Sequence, residues 1–384
     1  MKNILTLNAI SNKIDNVFGI DYAVSDTAKD PIGILVRSFD MHNYEVPSSL
    51  LAVSRAGAGV NNIPCEEYAK KGIVVFNTPG ANANAVSELV LTALLMGSRK
   101  IVKAIDWVKT LKDDENLSKT VEKGKKEFIG QEIYGKKLGV IGLGAIGARV
   151  ANTAISLGME VLGYDPYLSV TNALHLSRHI EVTQDIDELY KSCDYITIHV
   201  PFVESNRNMI NEQKLNLMKK GVVVINCARG ELVSTTDIIK AVNSGKVSRY
   251  ITDFPSKDLI GVENIICIPH LGASTPEAED NCAVMASKEL IDYIENGNIK
   301  NSVNFPTCVA PKNSNVRLSI LHLNQQNMIA QFTTILAENN INIENFVNSS
   351  KGNFAYSIID IPEINDKAFE SLSKIDGIIR IRKI

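Results

Sequence analysis

Residues 136–165 read KKLGVIGLGAIGARVANTAISLGMEVLGYD, and this stretch decides the fold. KKLGVIGLG is a strand entering a glycine turn. AIGARVANTAISLG carries Ile146, Val150, Ala154 and Leu157 along one helical face, and EVLGYD is the next strand. Gly142, Gly144 and Gly147 therefore stand where a strand ends and a helix opens, with Ala145 and Ile146 between them. Glycine turns recur by accident, but the full series of strand, turn, helix, strand and terminal acid is far more specific. A side chain in the turn would hold the backbone away from a pyrophosphate, whose charge the helix N-terminus stabilises. Asp165, at the end of the second strand, is placed to accept hydrogen bonds from ribose hydroxyls and to repel a 2′-phosphate, so NAD is the expected cofactor.

Working outward, strands are predicted at DYITIHVP, GVVVINCARG, SRYITDF and NIICIPH, alternating with helices, which gives a parallel, doubly wound α/β sheet of Rossmann type. Upstream, GILVRS (33–38), LLAVSRAG (50–57) and GIVVFNTPG (72–80) read as strands, and VSELVLTALLMGSRK (86–100) has helical spacing. The charged run from Lys109 to Lys126 reads as a solvated connection. After His270, Thr275 and Pro276 are the N-cap and first residue of a helix that stops at Gly297. SVNFPTCVAPKNS (302–314) reads as a linker, and the last seventy or so residues show a β-α-β-β-α-β order, the ferredoxin-like arrangement.

Bulk properties narrow the partners. The chain has 384 residues, 45% of them hydrophobic, and a net charge of −3, so nothing attracts it generally to nucleic acid or an anionic membrane. Its six cysteines lack metal-ligand spacing, so no metal site is expected and reduced thiols of a cytoplasmic protein are. MKNILTLNAI resembles a first strand more than a secretory signal, and the apolar run AVSELVLTALLMG is broken by Glu88.

A nicotinamide cofactor implies hydride transfer, and oxidising an alcohol also needs a base for the hydroxyl proton. Arg229 in NCARGEL, Asp253 and Asp258 in TDFPSKDL, and His270 in IPHLG all follow strands, and ligands of open α/β sheets bind beyond the carboxyl ends of strands. A histidine suits the base near neutral pH, although a single one leaving an apolar strand also fits a polar residue stranded at a strand end.

In this order GLGAIG with Asp165, NCARGELV, TDFPSKD and CIPHLGASTPEAEDN resemble the D-isomer-specific 2-hydroxyacid dehydrogenases. The resemblance implies that Arg229 holds the substrate carboxylate and polarises the C2 oxygen, and that His270 is the proton carrier. It puts Asp258, or Lys257 beside it, in the position of a family glutamate that orients the imidazole, and has Asp253 receive the nicotinamide carboxamide. It extends the cofactor site to His199, Pro201, Cys227, Ala228, Gly272 and Ala273. Among substrates it favours 3-phosphoglycerate, with Arg37, Ser38, Arg55, Gly57, Ala58, Gly59 and Lys125 as binding residues. Reductases of glyoxylate, hydroxypyruvate or 2-oxoglutarate remain alternatives, as does a non-catalytic NAD-sensing protein.

The resemblance also implies a split, flavodoxin-like substrate domain (1–97 and 287–305), a cofactor domain (98–286), a linker (306–314) and an ACT regulatory domain (315–384). In that last domain His322 and Asn324 match positions that bind L-serine in serine-regulated relatives, whereas Gln326 and Asn327 replace the usual Pro-Gly turn. A homodimer or homotetramer is expected.

Overall fold

In the computed structural model, which describes residues 1–8 and 10–384, the chain leaves a first unit at Asn82 and returns to it at Thr275. The first unit opens with β1 (Lys2–Leu7), β2 (Tyr22–Ser25), β3 (Gly33–Val36), β4 (Ala52–Arg55), α1 (Cys65–Lys70) and β5 (Val74–Phe76). Its sheet is parallel, in the order β2-β1-β3-β4-β5, the flavodoxin pattern. GILV of β3 is buried throughout, as a parallel strand covered on both faces must be.

The second unit, Ala83–Ser274, begins with α2 (Ala83–Ser98), α3 (Ile101–Lys109) and α4 (Leu117–Gly124). It continues through β6 (Lys137–Ile141), α5 (Ala145–Ser156), β7 (Glu160–Tyr164), α6 (Val170–Leu174), β8 (Ile180–Thr183), α7 (Ile186–Ser192) and β9 (Tyr195–Ile198). It closes with α8 (Glu212–Leu217), β10 (Val222–Asn226), α9 (Thr235–Asn243), β11 (Val247–Thr252) and β12 (Ile265–Cys267). The seven strands lie in the order β12-β11-β10-β9-β6-β7-β8, so the winding reverses between β6 and β9. A reversal of this kind opens a crevice at the strands' carboxyl ends.

The units change at 82/83 and 274/275, against the expected 97/98 and 286/287, so α2 and the helix after Thr275 each lie whole within one unit. Val86, Val90, Ala93 and Leu94 of α2 join the core of the seven-stranded sheet, and Gly97 lets the helix approach Val223 and Ile251. The helix α10 (Pro276–Asn296) goes the other way: Cys282, Ala283, Ala286, Leu290 and Tyr293 pack with Ile4, Leu35, Ala52 and Phe76. Thr275 caps α10 through Ala278 N–H (3.1 Å), and Gly297 ends it in a left-handed conformation, as the sequence predicts. The charged run 109–126 is not a bare connection. Leu117 and Val121, four residues apart, sit on α4, and Trp107 stacks on Phe128 at 5.1 Å.

The C-terminal module holds β13 (Val316–Leu323), α11 (Met328–Glu338), β14 (Asn345–Lys351), β15 (Phe354–Ile361), α12 (Asp366–Ser373) and β16 (Ile378–Lys383). Its antiparallel sheet, β14-β15-β13-β16, has the expected ferredoxin-like order. Helices α11 and α12 cover one face through Phe332, Leu336 and Leu372. The other face is not free, because Leu321, Tyr356 and Ile358 share a core with the five-stranded sheet. The expected linker is packed as well. Phe305, Cys308 and Ala310 are buried, and Asn304 donates to Cys65 O (3.1 Å) and Ile73 O (2.9 Å) while accepting from Val75 N–H (2.9 Å). Apolar residues and a saturated asparagine hold this segment where its prolines alone suggest a tether.

Polar anchors reinforce the junction. Arg317 and Asp360 form a fully buried bidentate pair (2.6 and 2.8 Å), and the same guanidinium donates to the carbonyls of Asn296, Ala310 and Pro311. Arg382 donates to Tyr293 O (2.8 Å), and Tyr356 to Gly297 O (2.5 Å). All six cysteines are unpaired. No helix of the described residues is long and apolar enough to cross a membrane.

Candidate active site

The glycine turn has the shape its sequence predicts. Gly142 has φ +93°, and a Cβ there would lie 2.7 Å from His199 O; one on Gly147 would lie 1.9 Å from Gly142 O. Both positions exclude any other residue. Gly144 differs, since a Cβ there would meet nothing within 4 Å, so its flank is open to a ligand. It is also the N-cap of α5, with no side-chain cap, which leaves first-turn amides at Ala145 and Ile146 for an anion. Asp165 accepts from Leu143 N–H and Tyr167 N–H (both 2.9 Å), one bond per carboxylate oxygen, and each oxygen keeps lone pairs for hydroxyl donors.

His199 follows β9, its ring Nε2 lying 3.0 Å from Thr197 Oγ1. Burial pushes its pKa down to about 3, so this imidazole is neutral in the physiological range. Cys227, at the end of β10, is likewise pushed up to about 12 by burial, so it is a packed thiol and no nucleophile. Pro201 and Ala273 lie in the loops after β9 and β12.

The loop after β10 is shaped by Asn226, fully buried, whose side chain donates to Arg229 O (2.8 Å) and accepts from Ala228 N–H (3.1 Å). This turns Arg229 outward, with one side-chain hydrogen bond among the described residues, to Ala228 O (2.7 Å). After β11 comes Asp253, 1% exposed. Its Oδ1 is buried with no hydrogen bond among the described residues. Burial raises its pKa, opposed by His270, its own backbone N–H, Arg229 and Gly272 N–H. Gly272 is buried beside this carboxylate, and a Cβ there would meet Val86 at 3.2 Å. His270 is exposed and packs on the ring of Phe254, with centroids 4.7 Å apart and planes tilted by 44°. The Arg229 guanidinium lies 6.0 Å from the same ring.

Asp258, expected to orient the imidazole, sits in an exposed turn and makes no hydrogen bond or ion pair among the described residues. The carboxylate that His270 and Arg229 influence is Asp253 instead. Buried Leu259 anchors that turn and leaves its neighbour Asp258 in solvent. Phe254 is the neighbour the sequence reasoning missed, since an aromatic ring carries no polar signal.

These features fit a dinucleotide. The open flank of Gly144, the uncapped amides of α5 and the orphaned Asp253 Oδ1 would take pyrophosphate and carboxamide, and Asp165 the ribose. No cluster suited to a metal ion occurs among the described residues.

In the first unit, Arg37 follows β3 and Arg55 ends the neighbouring β4. Arg55 Nε donates to Arg37 O (3.1 Å), and Arg37 pairs with Glu279 of α10 (2.7 Å). Gly57 has φ +154°, and a Cβ there would lie 2.4 Å from the Arg55 guanidinium. Ala58 O accepts from Asn77 (2.6 Å), while Ser38 is exposed and Gly59 half-buried. Lys125 belongs to the second unit, exposed and ion-paired with Glu122.

His322 is no open effector ligand. It is 2% exposed, its Nδ1 lies 2.8 Å from Leu323 O, and its Nε2 contacts Ser357 Oγ (3.1 Å) and Asn348 Oδ1 (3.3 Å). Burial lowers its pKa. Asn324 is exposed and donates to Gly352 O (3.0 Å), and Asn327 adopts the left-handed conformation that asparagine tolerates.

Comparison with known proteins gives the family. Residues 91–272 match the family "D-isomer specific 2-hydroxyacid dehydrogenase, NAD binding domain". The D-3-phosphoglycerate dehydrogenase of Methanocaldococcus jannaschii is 37% identical over 287 residues, covering 72% of this chain and 52% of that protein. The enzyme of the same name from Haemophilus influenzae is 32% identical over 355 residues, 88% of this chain and 82% of that one. The chain thus spans about half the length of the first relative and most of the second. The NAD+-bound 3-phosphoglycerate dehydrogenase structure from Entamoeba histolytica superposes with a TM-score of 0.61 at 25% identity, covering 79% of this chain and 98% of that one. The chain belongs to the D-isomer-specific 2-hydroxyacid dehydrogenases and carries that family's NAD-binding domain.

Proposed function

We propose that the chain is a D-3-phosphoglycerate dehydrogenase, oxidising 3-phospho-D-glycerate to 3-phosphohydroxypyruvate with NAD at the entry to L-serine biosynthesis. The observation that carries this reading is the set of Arg229, Asp253 and His270 at successive strand ends of the sheet that bears the glycine turn. The names of the relatives support the choice of substrate.

The turn and the α5 amides would hold the pyrophosphate, Asp165 the ribose and Asp253 Oδ1 the carboxamide. Bound nicotinamide supplies the hydride acceptor. Arg229 holds the substrate carboxylate bidentately and polarises the C2 oxygen. His270 takes the hydroxyl proton as the C2–H bond breaks and the C2 carbonyl forms. Recognition of the phosphate is assigned to Arg37, Ser38 and Arg55, with Lys125 as a further candidate cation, and of the carboxylate also to backbone N–H groups at Gly57, Ala58 and Gly59. The enzyme would be cytoplasmic and would work as a homodimer or homotetramer.

NADH formation with 3-phosphoglycerate, D-glycerate and D-2-hydroxyglutarate side by side tests the assignment. Rapid turnover of the phosphorylated acid is expected, and turnover of none would overturn it. Replacing Arg37 with alanine should raise KM for 3-phosphoglycerate far more than for D-glycerate. L-Serine regulation has weaker support, because the ring nitrogens of His322 are already engaged. A rise in melting temperature with millimolar L-serine would favour it, and no rise would favour a structural module.

A further inference from the structure

We infer that Phe254 is a positioning residue, whose ring holds the His270 imidazole and the Arg229 guanidinium at a fixed separation. The inference rests on the reading that these two groups act on a hydroxy acid.

His270 has no hydrogen bond among the described residues, and Asp258 does not reach it. What touches the imidazole is the Phe254 ring, at 4.7 Å between centroids and a 44° tilt, with Arg229 on the same ring at 6.0 Å. The ring is itself held. Phe254 N–H donates to Thr252 Oγ1 (3.1 Å), and Thr252 is fully buried at the end of β11. Gly230 gives it room, since a Cβ there would stand 3.3 Å from Phe254 Cβ. An aromatic ring cannot accept a strong hydrogen bond from the imidazole N–H as a carboxylate does, but it fixes the plane by contact. Its electron-rich face also favours the imidazolium that forms when the hydroxyl proton arrives. The charged groups near this imidazole within the second unit are Asp253 and Arg229. Phe254 thus does by packing what a hydrogen-bonded acid would do by charge.

Phe254→Leu keeps an apolar group of similar bulk without the ring face, and Phe254→Tyr keeps the ring. For Phe254→Leu, kcat should fall roughly 10- to 100-fold, the scale of a misplaced catalytic group, with KM for NAD within about twofold. Phe254→Tyr should recover to within about threefold of wild type. A second readout does not need turnover. In carbon-labelled histidine spectra the His270 ring resonance should lose its ring-current displacement in Phe254→Leu, while those of the other histidines stay in place. If Phe254→Leu keeps both its kcat and its His270 resonance in an active enzyme, the inference fails and the proposed function stands. If the wild type oxidises no hydroxy acid, the proposed function fails and takes the positioning role with it, whatever the spectrum shows.

Discussion

Arginine, aspartate and histidine are found in two regions of this molecule, to opposite ends. Arg317, Asp360 and His322 lie in the C-terminal sheet with every polar atom engaged. All five N–H donors of the Arg317 guanidinium have an acceptor, both Asp360 oxygens accept, and both His322 ring nitrogens have partners. Arg229, Asp253 and His270 are the reverse. The first makes one side-chain hydrogen bond, the second leaves an oxygen unpaired, and the third makes none among the described residues. Saturated polar groups fasten a fold, whereas groups with unspent hydrogen-bonding capacity are free to engage a ligand.

The contrast can be broken first at the open set. His270→Ala should lower kcat by about 10²- to 10⁴-fold, the usual contribution of a general base, and leave the melting curve unchanged. A melting curve that falls with kcat would make His270 a structural residue. Asp360→Ala should do the opposite, leaving kcat intact in the cold but costing about 3–5 kcal/mol of stability, because it strands a buried guanidinium. Denaturant unfolding measures this, and a loss under about 1 kcal/mol would mean that the three carbonyls suffice for Arg317.

Glu289 of α10 lies between the extremes. Asn301 donates to its Oε1 (2.6 Å), its Oε2 is buried without a partner, and burial raises its pKa to about 7. A carboxyl raised in the folded state stabilises fully below its ordinary pKa, and that stability is lost as pH rises through the folded value. Between pH 4.5 and about 7 the loss is of order 3 kcal/mol, at about 1.4 kcal/mol per pH unit. Glu289→Gln should therefore leave stability at pH 4 nearly unchanged, raise it at pH 8 and flatten the slope between. An unchanged slope would assign the pH dependence elsewhere. The smallest effect is expected at Asp258→Asn, whose kcat should stay within about threefold, as for an exposed side chain. A hundredfold loss would restore the acid to the mechanism.

The glycine turn, the sheet orders and the placement of Arg229 and His270 after β10 and β12 were legible because each rests on local chemistry: residues that tolerate tight turns, a strand period, and polar groups at strand ends. The unit boundaries were not. Both α2 and α10 show an apolar stripe, and a stripe states that a helix is covered but not by which sheet. His322 misled for a related reason. VRLSILHL is buried at nearly every position because both faces of β13 are covered, so no alternation marks the histidine as inward-facing. Arg37 was legible as a cation, whereas its partner Glu279 lies on the far side of the inserted unit, and such pairings are invisible to any local window.

The core that Leu321, Tyr356 and Ile358 share with Ile4 and Phe76 bears on how the chain is made. A nascent chain that has completed every residue of its proposed catalytic apparatus still lacks a wall of its first sheet until the final strands emerge. Products of premature termination would carry that uncovered oily surface, becoming natural targets for chaperones and proteases in place of serving as shortened enzymes.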